Sequence, residues 1–229
     1  MIEKQQDGFV AQYPDSAETP AQTRLSSAER RLCLEELALA CASCELCSLH
    51  SGRTHSVFAD GFADAEVMLI GEGPGQQEDE TGLPFVGRAG QLLDKMLASV
   101  GFDRGRNIYI ANVVKCRPPK NRTPTPEEMQ TCFPYLEEQI SLLAPRILIL
   151  SGATALQGVT GEKRSITRCR GQWLRWNGIW AMPIFHPAYL LRNDSRAVGS
   201  PKWQTWQDLK EIARKYEELT GKSIKEADG

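Results

Sequence analysis

The sequence predicts an α/β fold, a mainly parallel sheet of four strands with helices on both faces. Four short apolar runs have the length of buried strands, at residues 67–71, 108–112, 146–151 and 180–185. Apolar residues at helical spacing lie between or after these runs, at 88–100, 126–143, 153–159 and 202–219. Strands that alternate with helices favour a parallel sheet covered on both sides.

The composition is that of an ordinary globular protein. The chain has 229 residues, of which 41% are hydrophobic and 24% are charged, and its formal net charge is −2. No apolar run approaches the roughly 18 residues that a membrane span needs, and the polar start lacks the apolar core of a signal peptide. We therefore expect a cytoplasmic protein with no membrane partner, and a monomer by default. The net charge does not indicate a nucleic-acid binder, although a local basic patch is enough to contact phosphates.

One domain is expected between two polar tails. Residues 1–28 are rich in Gln, Ser, Pro and Asp without periodicity, which is typical of a disordered segment. The domain is expected at 29–219, and 220–229 form a polar C-terminal tail. Near the end of the domain, Asn177-Gly178 lies between two short apolar runs and predicts a hairpin that leads into the fourth strand.

The first helix leads into a cluster of cysteines. Ser27 can cap this helix, and four leucines are expected along its apolar side: Leu32, Leu34, Leu37 and Leu39. Four of the seven cysteines fall within one short stretch, at positions 33, 41, 44 and 47. In a reducing compartment such cysteines favour metal or redox roles over disulfides.

Cys44-x-x-Cys47 has the spacing of a metal-binding pair. Cys116 and Cys132 could complete a set of four thiolates, which suits either zinc or an iron–sulfur cluster. Cys41-x-x-Cys44 is an equally good local pair, and buried free cysteines are the alternative without metal. The remaining two cysteines have no partner pattern and are expected to be packing residues: Cys33 and Cys169.

The four strand ends carry the residues that indicate chemistry. The first strand enters the loop 71–93, in which Glu72 lies between two glycines. The second ends at Asn112, the third in the tight turn Ser151-Gly152, and the fourth at His186. A lone histidine is usually structural, but a histidine opposite the first loop favours a functional role. Ends of parallel strands share one edge of the sheet, so we expect one cleft.

Three further features allow two interpretations each. Phe85 is either a plug over the core or a platform on which a base stacks. The acids at 78–80 are either a solvated run or part of the site. The Leu-Leu-Arg at 190–192 is either core plus a surface charge, or an apolar wedge beside a phosphate anchor, as in proteins that unstack DNA.

Together these segments resemble the family 4 uracil-DNA glycosylases, the iron–sulfur branch of that superfamily. The matching segments, in chain order, are GEGPGQQEDETGLPFVGRAGQLL, NVVKCRPPKNRTPTPEE, LSGATAL, SITRCRG and FHPAYLLRN. With the region of Cys44 and Cys47 they cover nearly all of the expected domain. The resemblance implies a three-layer α/β/α sandwich around a short, mainly parallel four-stranded sheet.

The resemblance also implies an activity and a cofactor. The expected protein is a DNA-repair enzyme that initiates base excision repair. It would flip uracil out of single- or double-stranded DNA, hydrolyse its N-glycosidic bond, and leave an abasic site. The implied cofactor is a structural [4Fe–4S] cluster, whose ligands match Cys44, Cys47, Cys116 and Cys132.

The implied uracil pocket and catalytic groups come from the strand ends and the first loop. The pocket residues are Gly73, Glu78, Phe85 and Asn112, with Phe85 stacked on the base and the Asn112 amide at the O4/N3 edge. His186 would donate to O2, where negative charge develops on the leaving uracil. Glu72 would flank the sugar and the attacking water, either as a base or as a positioning group.

The implied DNA contacts lie in two later segments. Leu190 or Leu191 would fill the space left by the flipped base, with Arg192 on a phosphate. Asn121 and Arg122 would contact DNA as well, from a basic loop that contains Lys115, Arg117 and Lys120 and that the cluster would order. A sibling group traps its product covalently through a histidine in this loop. The segment PPKNRTPTPEE contains no histidine, so turnover is expected.

Two other classes of function are compatible with the residues. A non-catalytic DNA-binding module would use Phe85 and the basic loop, but Glu72 and His186 argue against it because a binder does not need them. A zinc-stapled nucleotide hydrolase would be colourless, whereas an iron–sulfur protein absorbs visible light.

Overall fold

A computed structural model of the chain describes residues 25–224. Most of the predicted disordered tail, residues 1–24, therefore lies outside the described residues, as do residues 225–229 of the predicted C-terminal tail. Between these limits, no helix is long and apolar enough to cross a membrane.

A six-stranded sheet forms the centre of the described chain, in the order β1-β3-β2-β4-β6-β5. Its strands are β1 (Asp60–Gly61), β2 (Val67–Gly71), β3 (Ile108–Asn112), β4 (Ile147–Ser151), β5 (Leu174–Trp176) and β6 (Ile179–Ile184). The four inner strands are parallel, whereas β1 and β5 pair antiparallel at the two edges. The four predicted strands are thus confirmed, but the prediction of a four-stranded sheet is wrong. Of the two additional strands, β5 is the first arm of the predicted hairpin, and β1 has only two residues, too few to show a periodic pattern.

Eight α-helices surround the sheet in residues 25–224. They are α1 (Ser27–Ala42), α2 (Gln76–Thr81), α3 (Arg88–Ala98), α4 (Pro126–Leu143), α5 (Ala153–Thr160), α6 (Ile166–Cys169), α7 (Pro187–Arg192) and α8 (Pro201–Thr220). Buried residues of α1, α4 and α5 pack on one face of the sheet, and those of α3 and α8 pack on the other. The predicted three-layer α/β/α sandwich is therefore confirmed.

The inner strands align their carboxyl ends because their register is parallel. Every residue of β2, β3 and β4 is buried, which explains why these strands read as continuous apolar runs. Gly71 at the end of β2 lies opposite Asn112 at the end of β3. Ser151 at the end of β4 lies opposite Ile184 at the end of β6. The sequence-predicted residues that follow these ends are thus brought to one edge.

The start of α1 differs from the prediction in its cap and in its apolar side. Ser26, not Ser27, is the N-cap: its hydroxyl accepts the Glu29 N–H at 3.3 Å, and the Glu29 carboxylate accepts the Ser26 N–H at 2.8 Å. Leu34 is buried, but Leu32 and Leu39 are 57% and 73% exposed, so the predicted apolar side is wrong for these two. The helix packs against α4 along a narrower strip than the spacing of its leucines indicates.

The end of the described chain is packed, and the predicted hairpin is present. Ile224 is buried in the core cluster of α3 and α8, and its N–H donates to the Glu217 carboxylate at 3.0 Å. Asn177 and Gly178 have φ of 46° and 79°, which suits the two-residue turn between antiparallel β5 and β6.

Candidate active site

A cleft of about 220 Å³ opens at the carboxyl edge of the inner strands. Eight of the sequence-predicted site residues line it: Glu72, Gly73, Glu78, Phe85, Asn112, Asn121, Arg122 and His186. These residues come from three strand ends and two loops that are distant in sequence. The parallel register places them together, as expected for an open α/β sheet.

Asn112 presents an unpaired acceptor in this cleft. Its side chain is 2% exposed, and Oδ1 has no hydrogen-bond partner among residues 25–224. Such an atom costs about 1–3 kcal/mol unless a ligand supplies a donor. The opposing Gly71 makes room for it, because a Cβ there would lie 2.4 Å from both Asn112 Oδ1 and Phe85 Cζ.

Phe85 forms one wall of the cleft. Its side chain belongs to the core cluster of α3 and α8 and is 6% exposed. Its ring centroid lies 5.7 Å from that of His186, with 33° between the planes. Phe85 therefore closes the core and also lines the cleft, and its role as a platform for a base stays a prediction.

His186 lies two residues after the end of β6 and is the N-cap of α7. Its Nδ1 accepts the Ala188 N–H at 3.2 Å, so the proton of the neutral ring is on Nε2. Burial lowers the pKa of His186 to about 4, the positive charge of Arg192 acts in the same direction, and Glu78 opposes it. At neutral pH the side chain is an uncharged imidazole with one N–H donor.

Glu72 is held by a residue that sequence reasoning did not single out. Its Oε2 accepts the Thr154 hydroxyl at 2.5 Å, and Thr154 is buried in the first turn of α5. The only sequence signal for Thr154 was its position in the tight turn after β4. The contact fixes the Glu72 carboxylate between two strand ends.

Glu78 is engaged by the backbone of its own loop. Its Oε1 accepts the N–H groups of Val86 and Gly87 at 3.0 and 2.9 Å, and its Oε2 accepts that of Gly75 at 3.2 Å. The neighbouring Asp79 is buried and accepts the Thr54 N–H at 2.9 Å. Glu78 therefore shapes a wall of the cleft, whereas Asp79 holds the backbone of Thr54 outside it.

The two polar residues predicted to contact DNA already have protein partners. Asn121 Oδ1 accepts Arg117 Nε–H at 2.7 Å. The Arg122 guanidinium is bidentate to the Glu128 carboxylate, at 2.6 and 2.8 Å. Both residues nevertheless line the mouth of the cleft, and Asn121 has a positive φ of 55° that forms a sharp turn there.

The three residues predicted to fill the DNA stack or to contact a phosphate have different environments on α7. Leu190 is fully buried, so its side chain does not reach the surface in this arrangement. Leu191 is partly buried and Arg192 is exposed. Of the two leucines, only Leu191 is accessible to a DNA helix.

The cysteines gather in a second cavity, beside the first strand ends. Five of them line it: Cys41, Cys44, Cys47, Cys116 and Cys132. Within residues 25–224, no three or more Cys, His, Asp or Glu side chains converge closely enough for a single metal ion. In a [4Fe–4S] cluster each thiolate binds a different iron, so its sulfur atoms are farther apart than the ligands of one ion.

The surroundings of these thiols fit an iron–sulfur cluster. Arg53 Nη1 donates to Cys116 Sγ at 3.3 Å, and the Lys115 N–H donates to Cys132 Sγ at 3.3 Å. Hydrogen bonds to sulfur and nearby positive charge stabilise such clusters. Burial raises the pKa of Cys132 to about 12, so this thiol is protonated unless a metal binds it.

Lys115 is not part of the surface basic loop, contrary to the prediction. It is 1% exposed, and its Nζ donates to the Asn112 carbonyl at 2.9 Å and to Gln139 Oε1 at 2.5 Å. Burial lowers its pKa to about 8, and Cys132 opposes this shift. Lys115 therefore joins the strand end of the cleft to the cysteine cavity and cannot reach a phosphate.

The family model of the Uracil DNA glycosylase superfamily matches residues 58–210. The chain belongs to this superfamily, whose model covers both the cleft and the whole six-stranded sheet. Among curated proteins, it is 50% identical over 157 residues to the "Type-4 uracil-DNA glycosylase" of Thermotoga maritima, covering 68% of this chain and 81% of that protein. It is 40% identical over 193 residues to the protein of the same name from Sulfurisphaera tokodaii, covering 80% of this chain and 87% of that protein.

These relatives place the chain among the type-4 uracil-DNA glycosylases. A third such relative, from Pyrobaculum aerophilum, is 47% identical over 167 residues, which cover 69% of this chain and 85% of that protein. The predicted resemblance and the predicted enzyme class are thereby confirmed. Enzymes of this type generally bind a [4Fe–4S] cluster.

Proposed function

We propose that the protein hydrolyses the N-glycosidic bond of uracil that is flipped out of single- or double-stranded DNA into the cleft. The products are free uracil and an abasic site, with which base excision repair begins. The observation that carries this proposal is the buried, unpaired Oδ1 of Asn112 beside Phe85. A flipped base brings the donor that this oxygen lacks.

Base recognition follows from the donors and acceptors of uracil. The N3–H of uracil donates to Asn112 Oδ1, and the Asn112 amide N–H donates to O4. Cytosine has an acceptor at N3 and a donor at N4, so it would leave polar groups unpaired on both sides. Phe85 supplies the stacking surface, which tolerates any base, and discrimination therefore depends on Asn112.

The reaction breaks the bond between C1′ of the sugar and N1 of the base. The bonding electrons leave with uracil and accumulate at O2, where the Nε2–H of His186 donates a hydrogen bond. A neutral imidazole suits this role because it stabilises the anion without having to lose a proton, and one such donor is worth about 10²–10³ in rate. Water then bonds to C1′ and releases one proton to the solvent, and the uracil anion takes up one proton from the solvent to become free uracil. The Glu72 carboxylate orients this water and stabilises the positive sugar, and Thr154 holds Glu72 in place.

The DNA contacts of the proposal lie around the mouth of the cleft. Leu191 enters the space that the flipped base leaves, and the exposed Arg192 contacts a phosphate. Asn121 and Arg122 contact the backbone from the opposite side, where Glu128 fixes the guanidinium of Arg122. The loop around Arg122 has no histidine, which supports turnover rather than covalent trapping.

We also propose that Cys44, Cys47, Cys116 and Cys132 hold a [4Fe–4S] cluster. Their position around one cavity and the two N–H···S contacts support this set. The cluster supplies a structural cross-link and no step of the reaction. Cys41 lines the same cavity, so the choice of Cys44 and Cys47 follows the family pattern. The cytoplasmic location and the monomeric state expected from the sequence stay predictions.

An oligonucleotide that carries one uracil tests the function. Incubation with the protein and then with alkali should break the strand at uracil, and a matched oligonucleotide with cytosine should stay intact. The double variant Glu72→Ala, His186→Ala is the control for contaminating activity. Binding of the uracil strand with no cleavage above this control would refute the glycosylase and favour the non-catalytic binding module.

A further inference from the structure

We propose that Arg104 is a positioning residue for uracil recognition, because it holds the backbone of Phe85 in the conformation that forms the wall of the cleft. This inference rests on the proposed role of Phe85 as the stacking surface. Arg104 lies in the loop between α3 and β3, does not line the cleft, and acts only through Phe85.

Phe85 has a backbone conformation that bulky residues rarely adopt. Its φ is +54°, in the left-handed region where a Cβ crowds the following carbonyl. Such a residue keeps this conformation only if its surroundings hold it, and strained residues of this kind cluster at functional sites. Neighbouring groups must therefore hold the backbone of Phe85.

The guanidinium of Arg104 holds two consecutive carbonyl groups at this point. Nη1 donates to the Pro84 carbonyl and Nη2 to the Phe85 carbonyl, both at 2.7 Å. The other donors engage two carboxylates: Nε donates to Asp94 Oδ1 at 2.8 Å, and Nη1 to Asp60 Oδ2 at 3.0 Å. A planar group with five N–H donors can make all four contacts at once, and a lysine cannot.

Two other contacts hold the segment on the opposite side. Glu78 accepts the N–H groups of the next two residues, Val86 and Gly87. The Phe85 carbonyl lies against Gly90 in the first turn of α3, where a Cβ would be 1.7 Å from its oxygen. Phe85 is thus held through its carbonyl by Arg104 and through the following amides by Glu78.

The ion pairs of Arg104 are partly exposed, so a variant of Arg104 can lose its contact with Phe85 without losing much folding stability. The side chains of Asp60 and Asp94 are 35% and 47% exposed, so their pairing with Arg104 adds little to folding. We therefore expect Arg104→Lys to fold, to keep the two carboxylates solvated, and to release the Phe85 carbonyl.

Single-turnover kinetics on a uracil oligonucleotide and inhibition by free uracil test the inference. In Arg104→Lys, the inhibition constant of uracil and the half-saturating enzyme concentration should both rise about tenfold, the scale of one lost stacking contact. The maximal rate should change much less, because stacking binds substrate and transition state alike. Arg146→Lys is the matched control: Arg146 pairs with Glu66 at 2.8 Å at the amino edge of the sheet, and this variant should match the wild type.

A double-mutant cycle with Phe85→Leu distinguishes positioning from general destabilisation. If Arg104 acts through Phe85, Arg104→Lys has no further effect in the Phe85→Leu background. An equal loss in both backgrounds, or wild-type constants in Arg104→Lys, would overturn the inference. If circular dichroism shows that Arg104→Lys does not fold, Asp94→Asn replaces it, because it loosens Arg104 through the exposed Nε contact. The uracil inhibition constant should then rise by a smaller factor, and an unchanged constant would overturn the inference.

The proposed function fails in a different way. It fails if the wild-type protein releases no uracil, whatever the variants do. Normal release by the wild type together with unchanged Arg104 variants refutes the role of Arg104 alone.

Discussion

His186 should stay unprotonated from pH 8 down to about pH 5, so its titration should not change the activity in this range. Activity should be lost as the pH falls through about 4. Burial lowers the pKa of this imidazole to about 4, and Nδ1 accepts the Ala188 N–H. A second proton would go to Nδ1, where it would face that N–H and break the cap of α7. Protonation therefore turns the neutral ring into a cation and removes the hydrogen bond that orients its Nε2–H donor.

The same lowered pKa of His186 predicts that the protein becomes less stable as the pH falls. His186 has a pKa of about 4 in the folded protein and 6.5 as its ordinary value. Between these values the unfolded chain binds a proton that the folded chain does not, so the free energy of unfolding falls as the pH falls. A shift of this size corresponds to a loss of about 3 kcal/mol in the free energy of unfolding. This loss is absent above about pH 6.5 and is complete near pH 4.

Single-turnover rates across this pH range measure the first effect, and urea unfolding of the wild type and His186→Asn measures the second. The asparagine side chain of this variant does not titrate, so the difference in pH dependence between the two proteins isolates the histidine. The Nε2 and Nδ1 chemical shifts of His186 report its pKa directly. A rate that falls with an apparent pKa near 6.5, matched by those shifts, would refute the assignment of a neutral imidazole.

Three further variants test the other groups of the site. Asn112→Asp removes the amide donor to O4 and should lower kcat/KM on uracil at least about 100-fold; unchanged kinetics would exclude Asn112 from the pocket. Thr154→Val removes a hydrogen bond to the Glu72 carboxylate and should lower the maximal rate about tenfold or more, whereas Thr154→Ser should not. Cys116→Ala should lower iron content, visible absorbance and DNA affinity, with Cys169→Ala, outside the cysteine cavity, as the matched control; normal iron and binding in Cys116→Ala would contradict the ligand set.

The inner sheet was predictable from sequence, and so was the hairpin that places β5 at one edge, whereas β1 at the other edge was not. A parallel strand covered on both faces is apolar at every position, and Val67–Ile70 and Ile147–Leu150 have this form. β1 has two residues, and its pairing with β3 depends on where the preceding chain runs. In the same way, the spacing of Leu32 and Leu39 predicts a helix but does not tell which of its sides another helix covers.

Site residues that lie near strand ends could be predicted from the sequence. Residues that act by holding another residue could not. Glu72, Asn112 and His186 each lie within two residues of the end of an inner strand, and the parallel register brings them together. Thr154 acts on a carboxylate 82 positions earlier, and Arg104 binds a carbonyl 19 positions earlier. Such contacts depend on the packing of helices on the sheet, which no local pattern encodes.

Lys115 shows why the cysteine cavity matters for base recognition as well as for folding. Its buried ammonium group holds the carbonyl of Asn112, and its backbone N–H holds Cys132 Sγ. A buried ammonium is costly unless acceptors and negative charge surround it, and the thiolates of the proposed cluster would supply that charge. The position of Asn112 therefore depends on the cysteines through one side chain. Loss of the cluster should weaken the reading of uracil even where the catalytic groups stay in place.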